Sequence, residues 1–475
     1  MFIRSMCLSA LAIFFTQLAL AQQNRKPNIV FILADDLGYG DIEPYGQKLI
    51  QTPNLNRLAK EGMKYTQFYA GTSVCAPSRS SLMTGQHTGH TPIRGNKDVM
   101  PEGQAPIPGS TVTIAEMMKS AGYTTGLFGK WGLGFPGSEG DPMKHGIDQF
   151  FGYNCQREAH RYYPTHLWNN TTRIDLQGND HLLKPVTYSP ELIQQKALQF
   201  IDDNKAKPFM IFLTYNLPHA ELLVPDDSLF QMYKGKFPEK PYHGDDYGSK
   251  ANTAGYVSQP YPHATFAAMV TRLDMYVGQV MNKLKALGLD DNTLIIFTSD
   301  NGPHFEGGAD PEFFNGGGGL RGEKRDLYEG GIREPFIVKW PGKVKAGTTN
   351  NYAGGFWDVL PTLAQIVNKP VPASIDGISF LASMTGKKQK AHDYLYWEFH
   401  ESGGRQAVRF DEWKCIRLNV DDPAKTIVEL YDLSNDREEK NNIAEQHKDV
   451  VEKAIRLMNE AHSKSDEFPF AYEKK

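Results

Sequence analysis

The feature that most narrows the fold is a series of short, unbroken apolar runs, each ending in a charged or polar residue. KPNIVFILADD stops at Asp35 and Asp36, TTGLFGK at Lys130, KPFMIFLTYNLPHA at His219, and TLIIFTSDNG at Asp300 and Asn301. A strand wetted on one face alternates apolar and polar residues, whereas a run without alternation is covered on both faces. Between the runs lie segments with helical spacing. TPNLNRLAKEGMKY opens on Thr-Pro, STVTIAEMMKSAGY is closed by Gly122, and the stretch over 264–287 carries Met269, Leu273, Val277, Val280, Leu284 and Leu287 on one side. Buried strands alternating with helices predict an α/β fold, with a large mostly parallel or mixed sheet covered by helices on both faces. In such sheets ligands bind beyond the carboxyl ends of the strands. Four strands that deliver Asp35 with Asp36, Lys130, His219, and Asp300 with Asn301 to one edge therefore define a candidate site.

The pattern changes near NKPVPASIDG and GKKQKAH. Beyond them HDYLYWEFHE, RQAVRFDEWKCIRL and TIVELYDL read as a smaller antiparallel sheet, followed by an amphipathic helix in VVEKAIRLMNEAHS. The expected division is a catalytic α/β domain over 22–385 and a C-terminal α+β subdomain over 386–475. Residues 1–21 carry a basic start, an apolar run too short to span a bilayer and a small-x-small end at Ala19-Leu20-Ala21. They read as a cleavable signal peptide, which implies a secreted or periplasmic protein with no membrane span after cleavage. A net charge of -4 leaves no electrostatic footprint for nucleic acid.

Of the four cysteines, Cys7 lies in the leader, and Cys75, Cys155 and Cys415 remain. Cys155 and Cys415 read as buried thiols or as one bridge between them. Cys75, alone before Ala76-Pro77-Ser78-Arg79, needs a chemical explanation in an oxidising compartment. Asp35, Asp36, Asp300 and Asn301 offer only oxygen, which selects Ca²⁺ or Mg²⁺ over zinc. Taken singly, the acids could equally cap turns, His219 after Pro218 could be a turn histidine, and Lys324 in GEKRD could be a solvated lysine.

Cys-x-Pro-Ser-Arg resembles the signature of the formylglycine-dependent sulfatases of the arylsulfatase family, in the alkaline phosphatase-like superfamily. ADDLGYGD, CAPSRSSLMTG, GLFGKWG, NLPHA, SDNGP and GEKRDLYEGGIREPFIVKWPG follow in that family's order. The resemblance implies that a formylglycine-generating, or sulfatase-maturing, enzyme oxidises Cys75 to 3-oxoalanine. It also implies one Ca²⁺ held by Asp35, Asp36, Asp300, Asn301 and the modified Cys75. Arg79 would stabilise the hydrated aldehyde, Lys130 and Lys324 would bind sulfate oxygens, and His219 would bind sulfate and protonate the departing alcohol. The chemistry fits these residue types: an aldehyde hydrate carries one hydroxyl to attack sulfur and a second whose deprotonation releases sulfate and restores the carbonyl. The family commonly has a histidine two residues after the lysine, where this chain has Gly132 in GKWGLG; His304 is the expected substitute.

For the substrate, CQREAHRYYPTHLWNN gathers His160, Arg161, Tyr162, Tyr163, His166 and Trp168 into an expected loop that could meet a sugar ring or cover the core. His400 in WEFHESGG is expected at the rim, and Gly316–Gly319 reads as a mobile loop. A sulfated carbohydrate is the expected substrate. The alternatives are an aryl or steroid sulfate, a phosphodiester or phosphonate ester, and non-catalytic binding of sulfated glycans.

Overall fold

The computed structural model describes residues 25–179, 186–246 and 255–474. The expected signal peptide lies outside these residues. The main sheet contains β1 (Asn28–Ala34), β2 (Met63–Tyr69), β3 (Thr124–Lys130), β4 (Gln149–Tyr153), β5 (His166–Asn169), β6 (Thr172–Asp175), β7 (Phe209–Thr214), β8 (Thr293–Ser299), β9 (Arg333–Lys339) and β10 (Thr348–Gly355). Their spatial order is β10-β2-β9-β8-β1-β7-β3-β4-β5-β6. Strands β8, β1, β7, β3 and β4 are mutually parallel, as are β10 and β2. Pairings of β9 with β2 and β8, and of β5 with β4 and β6, are antiparallel. The sheet is therefore mixed, with a parallel centre.

The unbroken apolar runs occupy that centre. All seven residues of β1 are buried. Val30, Ile32 and Ala34 face one core, where the helix Pro262–Ala286 lays down Val270, Leu273, Val277, Val280 and Leu284. Ile29, Phe31 and Leu33 face the other core, which is closed by the helices Ile114–Ser120 and Val359–Ile366. Thr113 and Glu116 form a reciprocal capping box that starts the first of these, satisfying two backbone donors before the apolar turn. Because the central strands run the same way, their carboxyl ends meet at one edge of the sheet.

A second, antiparallel sheet contains β11 (Leu395–Phe399), β12 (Arg405–Phe410), β13 (Trp413–Leu418) and β14 (Ile427–Asp432). RQAVRFDEWKCIRL is thus a hairpin, turning at Asp411 with φ 49°. The helix Lys448–Ala461 covers one face through Ala454, Met458 and Ala461. The opposite face packs on the main body, where Trp397 Nε1 donates to the Ala70 carbonyl at 3.0 Å. Buried Lys414 there bridges Glu329 at 2.9 Å and Glu439 at 3.0 Å. Among the described residues no helix is long and apolar enough to cross a membrane.

Cys155 and Cys415 are separate buried thiols, the first of the two readings open from the sequence. Two expectations are corrected. Gly316 is packed rather than mobile: its carbonyl accepts the Gly40 N–H at 2.6 Å, and a Cβ on Gly38 would lie 2.3 Å from the same oxygen. His166 and Trp168 belong to β5, not to a loop, and both donate to Glu102, at 2.8 and 2.7 Å.

Candidate active site

The parallel centre of the sheet brings the sequence-selected residues together. Asp35 and Asp36 follow β1 directly, and Asp36 turns the chain with φ 61°, a left-handed conformation that aspartate tolerates better than bulkier residues. Asp300 and Asn301 follow β8, the neighbour of β1, and the Asp36 N–H donates to Asp300 Oδ1 at 3.1 Å. Asn301 Nδ2 donates to Asp36 Oδ1 at 2.7 Å. Cys75 is the first residue of the ten-residue helix Cys75–Thr84, every residue of which is buried. Its Sγ lies 3.3 Å from Asp35 Oδ1 and 3.9 Å from Asp36 Oδ1. Pro77 is therefore the third residue of the helix, inside its first turn.

Three cations surround these acids. Lys130, the last residue of β3, places Nζ 2.7 Å from Asp35 Oδ2, with both side chains fully buried. Arg79, one turn into the Cys75 helix, directs Nε and Nη2 to Asp300 Oδ2 at 3.0 and 2.8 Å and donates Nη1 to the Lys130 carbonyl at 2.8 Å. Lys324 Nζ contacts Asp36 Oδ2 at 2.9 Å, Glu306 Oε2 at 2.9 Å and His219 Nε2 at 3.0 Å. Lys324 is thus a buried site residue, not a solvated one.

The charges set the protonation states. Burial alone would raise Asp35, yet the Lys130 and Arg79 charges hold it far below the usual carboxylate range. Burial and the Asp35 charge push Asp300 up to about 7 against the pull of Arg79. Burial, then Asp35, raise the Cys75 thiol well above its ordinary value, so it remains an SH group. Burial and then Lys324 push His219 well below the usual imidazole value. With the Lys324 ammonium donating to Nε2, His219 is neutral and protonated on Nδ1.

Residues 27–369 match the family model for Sulfatase. The chain belongs to the sulfatase family. Residues 321–464 also match the model for the N-sulphoglucosamine sulphohydrolase C-terminal region. The sulfatase is 30% identical over 498 residues to an N-acetylgalactosamine-6-O-sulfatase of Bacteroides thetaiotaomicron, covering 92% of this chain and 93% of that one. It is 33% identical to human arylsulfatase A, over 82% of this chain and 75% of the relative. Among solved structures, Ps i-CgsB in complex with k-i-k-neocarrahexaose superposes with TM-score 0.75 at 26% identity, covering 92% of each chain. The sulfatase is accordingly an enzyme that hydrolyses sulfate esters.

The donor set fits a hard divalent cation. Three carboxylates and an amide converge, and Asn301 Oδ1 is buried without any hydrogen-bond partner, an acceptor left waiting for a ligand.

A cavity of about 310 Å³ opens onto Cys75, His219 and Lys324, and its walls include His160 and Arg161. His160 stacks on His219 with ring centroids 4.4 Å apart, and Arg161 pairs with Glu221 at 2.7 Å. Tyr162 and Tyr163, from the same segment, are buried in the core. That segment therefore divides between lining the site and packing the fold. His400 is not among the residues lining the cavity; its Nε2 donates to Glu398 Oε2 at 2.8 Å and its ring stacks on Phe470.

His304 lies at the site: one ring nitrogen and a carboxylate oxygen each from Asp36 and Glu306 lie within 4.8 Å of one another. It stacks on His219 at 5.6 Å, and its Nδ1 accepts the Glu306 N–H at 3.1 Å. The space beside Gly132 is filled by Gln156, whose Nε2 lies 2.1 Å from where a Cβ on residue 132 would stand. Glu306, Tyr256 and Gln156 all line the cavity and were not selected from the sequence. The one available signal was indirect: a buried lysine at 324 requires a counter-charge, and Glu306 supplies it.

Proposed function

We propose that this sulfatase, once exported, removes O-sulfate from sugars of host or environmental glycans, using a formylglycine made from Cys75 and one Ca²⁺ held by Asp35, Asp36, Asp300, Asn301 and the modified Cys75. The observation that carries the reading is the setting of Cys75. A buried thiol kept protonated is a poor nucleophile, yet it stands at the focus of three acids and three cations. Such a thiol makes sense as the precursor of another group. When present, the hydrated aldehyde would supply a nucleophilic hydroxyl, and a divalent ion held by these acids and Asn301 would supply Lewis-acid polarisation.

The chain's own residues do the rest. Lys130 and Lys324 balance the negative sulfate oxygens from buried positions, where fixed charges act strongly. Lys324 shares a proton with His219 Nε2 at 3.0 Å, so the acid available to the departing alcohol is that pair rather than imidazolium alone. Arg79 fixes Asp300 and, through the Lys130 carbonyl, the end of β3. Cys75 is only 2% exposed, so the maturing enzyme reaches it before the chain folds. That timing suits a protein exported through the leader at 1–21, with the catalytic domain over 22–385 and the C-terminal subdomain over 386–475.

A sugar is favoured over a steroid because the cavity wall is polar, with Asn96, Asp98, Gln156, Arg157 and His160. The relative named N-acetylgalactosamine-6-O-sulfatase and the neighbour bound to a carrahexaose make galactose-type sulfates the first to test. The intact cations argue against a binding protein without activity. The test is a screen of defined sulfated mono- and disaccharides, a phenyl sulfate and a phosphate ester of one shared alcohol, on protein made with the maturing enzyme. Mass spectrometry of the peptide containing residue 75 accompanies it. Turnover of a sugar sulfate with the aldehyde present is expected; turnover with an unmodified thiol, or a preference for phosphate, overturns the reading.

A further inference from the structure

Gln156 carries a polar group that the fold itself does not use. It is 4% exposed, and neither Oε1 nor Nε2 has a hydrogen-bond partner. Leaving a buried amide unpaired costs free energy that an apolar side chain of the same shape would avoid. Its backbone is nonetheless firmly placed: the Gln156 N–H donates to Gln104 Oε1 at 3.1 Å, and Gln104 Nε2 donates to the Lys97 carbonyl at 2.9 Å. The carboxamide occupies the volume left free by the missing Cβ of Gly132, which holds φ 75° at the exit of β3. The same Cβ position is 3.8 Å from Arg79 Cδ, so Gln156 and the arginine of the site both border the space beside Gly132. It also lines the cavity that exposes Cys75, His219 and Lys324.

We propose that Gln156 is a substrate-contacting residue whose Nε2 donates to an oxygen of the sulfate group. The inference rests on the sulfate-ester reading of the site and adds to it a neutral donor beside the charged lysines. A carboxamide neither gains nor loses a proton in the working range, so Gln156 binds and orients but moves no proton. Gly132 and Gln156 act as a pair, since any side chain at 132 would displace the amide.

The test uses the full chain produced without the maturing enzyme, which retains Cys75 and does not turn over. Inorganic sulfate is titrated calorimetrically in Ca²⁺-containing buffer into the wild type, Gln156→Leu and Gln156→Glu. The wild type is expected to bind sulfate. Gln156→Leu is expected to weaken binding by about 10- to 100-fold, the value of one hydrogen bond to a charged partner. Its thermal midpoint without sulfate stays equal to or above wild type, because an unpaired buried amide has gone. Gln156→Glu places a carboxylate against the anion and abolishes binding. In matured enzyme, Gln156→Leu changes KM or kcat with no change in the shape of the pH profile. The inference is overturned if the wild type binds no sulfate, if Gln156→Leu binds it equally well, or if that variant loses stability in step with affinity. Failure of the underlying sulfatase chemistry would show differently, as turnover by protein whose residue 75 is an unmodified thiol.

Discussion

Replacing Lys130 by Met tests the electrostatic logic of the site most directly. Methionine keeps the unbranched stem, so little packing is lost, but the charge 2.7 Å from Asp35 Oδ2 disappears. Asp35 is fully buried and would keep, among the described residues, one cationic partner, Arg79 Nη2 at 3.7 Å, beside the Cys75 thiol at 3.3 Å. Removing one partner of a buried ion pair costs about 3–5 kcal/mol, because the remaining charge is left uncompensated. With an unfolding entropy of about 2 cal/mol/K per residue, a chain of 475 residues loses roughly 1 °C of midpoint per kcal/mol. The expected drop is therefore about 3–5 °C in chelator. Calcium bound by Asp35 would replace the missing positive charge, so in millimolar Ca²⁺ the drop should shrink to less than half of that. Differential scanning calorimetry of wild type and Lys130→Met, each in chelator and in Ca²⁺, measures all four midpoints. Equal drops in both buffers, or a drop below about 1 °C in chelator, would refute the claim that Lys130 and a cation share the task of neutralising Asp35.

Three further outcomes follow from the same structure. Cys75→Ala, which removes the precursor atom but barely changes a buried volume, should abolish turnover in a discontinuous sulfate-release assay while the thermal midpoint stays near wild type. Gly38→Ala would drive a Cβ to 2.3 Å from the Gly316 carbonyl and 2.9 Å from Pro303 Cβ; limited proteolysis should then cut the 316–319 segment, which wild type protects. The C-terminal helix is tied by His462 Nδ1 to Glu398 Oε1 at 2.5 Å. Burial alone would lower His462, but the Glu398 carboxylate raises it above its ordinary 6.5. Burial alone would raise Glu398, but His400 and His462 bring it from 4.5 down to about 2. The histidine term is complete below pH 6.5 and is lost as pH rises through the raised folded value. The glutamate term is complete above pH 4.5 and is lost as pH falls toward 2. Amide protection factors over 448–461, taken relative to intrinsic exchange at each pH, should therefore be highest between those two values and lower above, and Glu398→Gln should flatten the dependence.

What could be read from the amino-acid order was the part governed by local rules. Unbroken apolar runs such as Asn28–Ala34 announce strands covered on both faces, and the residues at their ends announce a site. The parallel centre of the sheet, the separate antiparallel sheet after it, and the convergence of Asp35, Asp36, Lys130, His219 and Asp300 all follow from that pattern. The arylsulfatase-like motifs assigned Lys324 to the site against its exposed-looking surroundings. Other features depended on which distant segments share a volume. Glu306 was invisible until Lys324 Nζ was found 2.9 Å from its carboxylate, and His304 proved to support Glu306 and stack on His219. The vacancy at Gly132 had no meaning in one dimension; only packing showed the Gln156 amide filling it. Periodicity and end residues reflect interactions between near neighbours along the chain, so they survive in a string of letters. The occupant of a buried gap is decided by contacts between segments far apart in that string, and those exist only after the chain has folded.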